Sequence, residues 1–144
     1  AAGDSERAAQ LIELAAPELR RRRQEKTLRR WLEALPSDRF TDRPVLAISL
    51  VGARMATGDT AGVESLLDTV EAALGSSTPP IVFDEHEFAG LPAQVLVYRA
   101  ALALLAGERS HLEPLAGEHV DRERRHAPGC AVHEHLAVLR REAV

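Results

Sequence analysis

The chain has 144 residues, of which 45% are hydrophobic, 28% are charged and only 3% are aromatic, and its formal net charge is −4. This composition indicates a globular domain and excludes both an intrinsically disordered chain and an integral membrane protein, and no apolar run approaches the roughly 20 residues that span a bilayer. The acidic balance disfavours nucleic acid and anionic membranes as partners. Cys130 is the only cysteine, so an intrachain disulfide is excluded and we expect a cytoplasmic protein.

Two amphipathic helices are predicted in the first 36 residues. The first begins at Asp4, and Pro17 predicts either a kink near residues 13–16 or a second helix that starts at the proline. The next helix ends before Pro36. The apolar positions of the first helix are Ala8, Leu11, Ile12, Ala15 and Leu19, and those of the next are Leu28, Trp31, Leu32 and Leu35.

The middle of the chain predicts a helical hairpin. Residues 44–57 are apolar nearly all the way round, as in a central helix that is covered on more than one side. Gly58 and Asp59 are expected to end this helix and to cap a partner helix that continues to Leu74. Residues 75–90 then read as a long irregular stretch, in which only residues 81–83 suit an extended conformation.

The C-terminal part of the chain repeats this pattern. Residues 91–106 are again apolar nearly all round, and Gly107 with Glu108 is expected to close that helix. A weaker helix around residues 112–116 and a short terminal helix over residues 132–143 complete the prediction.

Three glycine–acid pairs suggest an internal repeat. The segments A-A-G-D-S-E-R-A, A-T-G-D-T-A-G-V and L-A-G-E-R-S-H-L align on Gly3, Gly58 and Gly107. The sequence therefore predicts an all-α, tetratricopeptide-like solenoid of about six to eight helices in stacked antiparallel pairs, forming a single domain over residues 1–144.

The order of features from Trp31 to Leu74 resembles a known family. The segments are W-L-E-A-L-P, then R-P-V-L, then T-G-D followed by an amphipathic helix, and E-R-A-A-Q-L-I-E-L-A-A-P-E-L-R lies upstream. They resemble the tetratricopeptide-like sensor region of maltose-regulator-type, ATP-binding LuxR-family transcriptional regulators. The resemblance implies a fragment of a larger regulator that receives a small-molecule inducer or a protein partner in its groove.

The chain departs from the whole regulators of that family in two ways. It has no G-x-x-x-x-G-K-[ST] phosphate-binding loop and no helix-turn-helix followed by a basic face, so we expect no direct contact with nucleic acid. The alternative is a free-standing tetratricopeptide-type adaptor between proteins. An upstream Walker motif and a downstream helix-turn-helix in the parent reading frame would distinguish the two.

Four residues form the candidate ligand or partner groove. Arg54 and Arg99 are each the sole charge in an apolar helix, and the aligned glycines place them one turn apart. They would bind an anionic ligand or an acidic peptide, although a rim charge or an internal ion pair is the alternative. Trp31 and Tyr98 complete the candidate groove, but the stripe that contains Trp31 predicts a core position for this residue.

The remaining clusters give no complete site. The arginine runs Arg20–Arg23 and Arg122–Arg125 are typical of solvated helix ends and not of phosphate-binding sites. The adjacent polar residues 84–87 do not predict a pair of carboxylates with catalytic geometry. No serine has a nucleophile elbow, so we expect no enzyme, metal or cofactor. Residue types that can ligate a metal ion occur together near the C-terminal end of the sequence, but their spacing does not suit a metal site. These residues are His126, Cys130, His133, Glu134 and His135.

Overall fold

The computed structural model describes residues 2–125, with the side chains of residues 3–109. These residues form six α-helices and one 3₁₀ turn, Ser37–Phe40, and no strand lies between residues 2 and 125. The prediction of an all-α protein is therefore confirmed for this part of the chain. The helices are α1 (Ala2–Arg21), α2 (Glu25–Glu33), α3 (Pro44–Ala56), α4 (Val63–Gly75), α5 (Glu85–Ala89) and α6 (Leu91–Arg125).

The chain divides into two compact units, Ala1–Ala103 and Leu104–Val144. In the first unit α1 packs against α2, α2 against α3 and α3 against α4, and α3 also contacts α1 and α5. The second unit is described as far as Arg125 and consists there of the rest of α6. The predicted single domain concerns the whole chain, so it stays a prediction.

Helix α3 is the central helix of the first unit, as its sequence predicted. Pro44 occupies the first helical position, where the missing N–H costs nothing. Nine of the thirteen residues of this helix are buried, and seven of them belong to the hydrophobic core. Leu28 and Leu32 of α2 and Val63, Leu67 and Val70 of α4 are fully buried in the same core.

The hairpin between α3 and α4 differs in one detail from the prediction. Gly58 has a φ of 77° and ends α3 as expected, but α4 begins at Val63 rather than at Asp59. Gly62 also adopts the left-handed region, with a φ of 68°, and this conformation is cheap only for glycine. Asp59 instead accepts a hydrogen bond from the Ala61 N–H at 2.9 Å and shapes the turn.

Helix α1 is one continuous helix through Pro17, and its buried face is only partly the predicted one, because Leu19 is buried and Ile12 and Ala15 pack against the core as predicted. The fully buried positions are Ala9, Glu13 and Ala16, which lie at helical spacing, whereas Leu11 is 60% exposed. The small side chains let α1 approach its neighbours closely. Leu11 and Ile12 therefore face a groove on the surface, whereas Leu19 is buried in the core.

Helix α6 contradicts two predictions. It continues past Gly107 to Arg125, so the predicted end at Gly107 was wrong. A glycine inside a helix costs only about 1 kcal/mol, and the surrounding alanines and leucines offset that cost. The helix is also not covered all round, because Leu96 is 72% and Val97 65% exposed.

The internal repeat is limited to one junction in the described residues. Gly3 lies within α1 and Gly107 within α6, so only Gly58 connects two helices. Helix α5 forms inside the stretch predicted as irregular, and residues 81–83 pair with no strand. The predicted terminal helix over residues 132–143 lies outside the described residues.

Candidate functional site

The main candidate site is an apolar groove between α1 and α2, which we call the Trp31 groove. Its volume is about 730 Å³. Apart from Asp4 and Ser5 at one end, the lining side chains are hydrophobic. The lining residues are Asp4, Ser5, Ala8, Leu11, Ile12 and Ala15 on α1, with Trp31, Ala34, Leu35 and Pro36 on the other wall.

Trp31 is a groove residue and not a core residue. The indole is 40% exposed, whereas Leu28 and Leu32 of the same predicted stripe are fully buried. The expectation that the stripe would place Trp31 in the core was therefore wrong, because α2 packs on its neighbours through a narrower face than the pattern suggested. An exposed tryptophan beside Leu11 is an apolar surface of the kind that marks a binding site.

A second depression of about 610 Å³ adjoins the Trp31 groove at Ala34, which lines both. Lys26 and Arg30 lie on its edge, and neither side chain has an ion-pair partner among the described residues. We call these two residues the basic shelf. An unpaired cation next to an apolar groove provides a charge that a ligand or partner can use.

The other charges of this depression are already paired. Arg29 donates to Glu33 at 3.0 Å and to the Thr57 hydroxyl at 2.9 Å, and it also forms an ion pair with Asp59. Arg54 donates to Glu33 at 3.1 Å and to the Ala61 carbonyl at 2.8 Å. The network ties α2 to the end of α3 and to the turn that follows it.

The network also shifts the pKa of its acids. Burial is the largest single influence on Glu33 and raises its pKa, but the hydrogen bonds and the positive charges of Arg29 and Arg54 together lower the pKa below its ordinary value. The Ala61 N–H, followed by Arg29, lowers the pKa of Asp59. Both carboxylates therefore stay ionised at neutral pH and hold the two arginines in place.

Arg99 is paired in a different part of the first unit. Its Nη2 donates to Asp68 at 2.6 Å and to Glu71 at 2.7 Å, and these hydrogen bonds raise the pKa of the guanidinium. Arg54 and Arg99 share no partner. Both arginines form ion pairs within the protein, as the alternative interpretation expected. The glycine alignment that placed them one turn apart does not hold, because Gly107 lies inside α6 and not at a junction between helices. Their role in ligand binding stays a prediction.

Tyr98 packs between helices. Its hydroxyl would lie 2.7 Å from a Cβ added at Gly52 of α3, so this close approach requires glycine. Burial raises the pKa of the phenol. Tyr98 therefore holds α6 on α3 and does not line the Trp31 groove.

Gly52→Ala is expected to destabilise the protein by about 1–3 kcal/mol, because the new methyl group overlaps the Tyr98 hydroxyl. Chemical denaturation would measure the loss. In a Tyr98→Phe background the nearest ring atom lies at 3.6 Å, so the same substitution should be neutral or stabilising there. An equal loss in both backgrounds would contradict the proposed contact.

A buried polar cluster joins α1, the start of α3 and residues 81–84. Arg43 and Glu13 are both fully buried, and Arg43 Nη1 lies 3.7 Å from Glu13 Oε2. Glu13 Oε1 accepts hydrogen bonds from the N–H groups of Phe83 at 2.8 Å and Asp84 at 3.2 Å. The Arg43 guanidinium also pairs with Glu6 and lies 5.2 Å from the centre of the Phe83 ring. This cluster was not predicted from the sequence.

The weaker candidate sites are occupied by structural contacts. Asp84 caps α5 by accepting from the Glu87 N–H at 3.0 Å, and Glu87 pairs with Arg20 at 2.7 Å. Arg21 and Arg22 pair with Glu18. No group of three or more metal-ligating side chains occurs in the described residues. The side chains of Arg122–Arg125 and the histidines and cysteine from His126 onward lie outside them.

One described stretch, Leu91–Arg109, is long and apolar enough to cross a membrane by length and composition, with a mean hydropathy of 1.2 over an 18-residue window. The stretch is not an uninterrupted apolar run, because it includes Gln94, Arg99, Glu108 and Arg109. Arg99, in the middle of this stretch, forms ion pairs with the carboxylates of α4.

Comparison with known proteins gives no further assignment, because no protein-family model, no curated protein and no solved structure matches this chain. The observations define the class of an all-α protein with an exposed apolar groove between two helices.

Proposed function

We propose that this chain is a helical interaction module that binds a polypeptide partner in the Trp31 groove. The observation that carries the proposal is the orientation of α1. Its small residues Ala9 and Ala16 are buried, while Leu11, at 60% exposure, faces the groove with Trp31. A monomeric helix gains stability by burying its larger apolar face, so a partner that covers this face would explain the arrangement.

The proposal assigns no catalysis to the chain. The groove contains no titratable side chain other than Asp4, and Glu13 and Arg43 are fully buried and contact other groups of the protein. We further propose a tetratricopeptide-like stack, since the first four helices pack each on the next, and a cytoplasmic location in keeping with the single cysteine.

The sensor arm of a LuxR-family regulator is the context that we propose for the module. The Trp31–Leu74 features support this context by resemblance, and a free-standing adaptor is the alternative. The parent coding sequence tests the two directly. An ATP-binding Walker motif upstream and a helix-turn-helix downstream are expected for the regulator, and an open reading frame with neither would contradict it.

A displayed library of random 16-residue peptides, selected on the whole chain, tests the groove. Peptides that bind are expected to change the fluorescence of Trp31, which is the only tryptophan. Leu11→Ser should weaken their binding at least tenfold, because it removes apolar surface from the groove. Leu96→Ser is the matched control, since Leu96 is exposed on α6 and does not line the groove.

Two results would overturn the proposal. One is a selection that yields no peptide able to change Trp31 fluorescence. The other is a set of peptides whose binding Leu96→Ser weakens and Leu11→Ser leaves unchanged, because that result would place the binding surface on α6. Melting temperatures of both variants show that each substitution leaves the fold intact.

A further inference from the structure

We propose that the partner of the Trp31 groove is an amphipathic α-helix that carries acidic residues along one edge. This inference rests on the proposed function and adds the conformation and charge of the partner. Three features of the first unit carry it: the backbone of the groove walls, the length of the groove and the basic shelf.

The walls of the groove offer an incoming chain no free N–H groups in their central part. The α1 wall is an α-helix whose N–H and C=O groups bond to one another. On the other wall the Ala34 N–H bonds to the Arg30 carbonyl at 3.2 Å and the Leu35 N–H to the Leu32 carbonyl at 3.1 Å. An extended peptide would therefore leave its own carbonyl groups without donors in an apolar groove. A helical partner satisfies its backbone internally.

The length of the groove suits a short helix. Asp4 and Ala15 mark its two ends on α1, and eleven steps at a rise of 1.5 Å give about 16 Å, or three helical turns. A partner helix of this length presents apolar side chains at i, i+4, i+7 and i+11 on one face. Such a stripe would pack between Leu11 and Trp31.

The charge of the partner follows from the basic shelf. Lys26 and Arg30 lie one turn apart on α2 and are exposed, whereas the nearby Arg29 and Arg54 already pair with Glu33. Ala34 connects the shelf to the groove. A helix seated in the groove therefore has one edge beside two unpaired cations, and glutamate or aspartate at i and i+4 on that edge would pair with them.

The test uses two synthetic 15-residue helical peptides that share one leucine stripe and differ only in the edge residues, which are glutamate in one and lysine in the other. Trp31 fluorescence reports binding to the whole chain. The glutamate peptide is expected to bind at least tenfold more tightly, and the Lys26→Glu/Arg30→Glu double variant should reverse this preference. Arg23→Glu is the control for a charge reversal outside the two depressions and is compared with each of the single variants Lys26→Glu and Arg30→Glu, because Arg23 lies in the turn between α1 and α2 and lines neither depression.

Equal affinity for the two peptides, or failure of both to bind, would overturn the inference. Blue-shifted Trp31 fluorescence with vesicles of anionic lipid, but with neither peptide, would also overturn it and would indicate a lipid surface. The proposed function fails separately. If library peptides bind the groove in a Leu11-dependent way but carry no acidic edge, the groove remains a protein-binding site and only the nature of its partner was wrong.

Discussion

Replacing Arg43 by methionine is expected to lower the free energy of unfolding by about 3–5 kcal/mol, because the change leaves Glu13 as a buried carboxylate without its opposite charge. Arg43 and Glu13 are fully buried. Methionine retains part of the aliphatic volume, so the loss reports mainly on the charge. Urea denaturation at neutral pH measures it.

Arg39→Met is the matched control for Arg43→Met. Arg39 also pairs with Glu6, at 2.9 Å, but both side chains are partly exposed, so its loss should cost at most about 1 kcal/mol. The double variant Glu13→Gln/Arg43→Met should regain part of the stability, since it removes the unpaired charge and keeps an acceptor for the Phe83 N–H. A loss below about 1 kcal/mol for Arg43→Met would show that Glu13 does not depend on Arg43.

Leu67→Ala is expected to cost about 2–5 kcal/mol through lost burial and the remaining cavity. Leu67 is fully buried in the core, where Val63 and Val70 of the same helix are also fully buried. Leu96→Ala removes the same atoms from a side chain that is 72% exposed, so it should change stability by no more than about 0.5 kcal/mol. Similar losses for the two variants would mean that α4 does not pack as described.

The elements with a strong apolar period were predictable. Pro44 at the first helical position, a continuous apolar run and Gly58 at the end define α3 within one residue. The end of α6 was not predictable in the same way. Gly107 ends a helix only where the backbone turns to positive φ, and here it stays within the helix, where its cost is small.

Of the four residues named from the sequence, only Trp31 lines the Trp31 groove. Trp31 was named as a groove residue, but its pattern favoured the core, because a periodic stripe does not show how much of its width a neighbouring helix covers. The burial of Glu13 had a signal, since it lies four residues after Ala9 and three before Ala16 on one face of α1. Arg43 had none, as its partners Glu6 and Glu13 come from a distant part of the sequence.

The central claim is that the Trp31 groove binds a polypeptide, and isoleucine-methyl NMR tests it most directly. The chain has three isoleucines, Ile12, Ile48 and Ile81, of which Ile12 lines the groove and Ile48 is buried in the core. On addition of a selected peptide, the Ile12 methyl signal is expected to move while those of Ile48 and Ile81 stay in place. A peptide that binds the chain and leaves the Ile12 signal unchanged would show that the Trp31 groove is not the binding site.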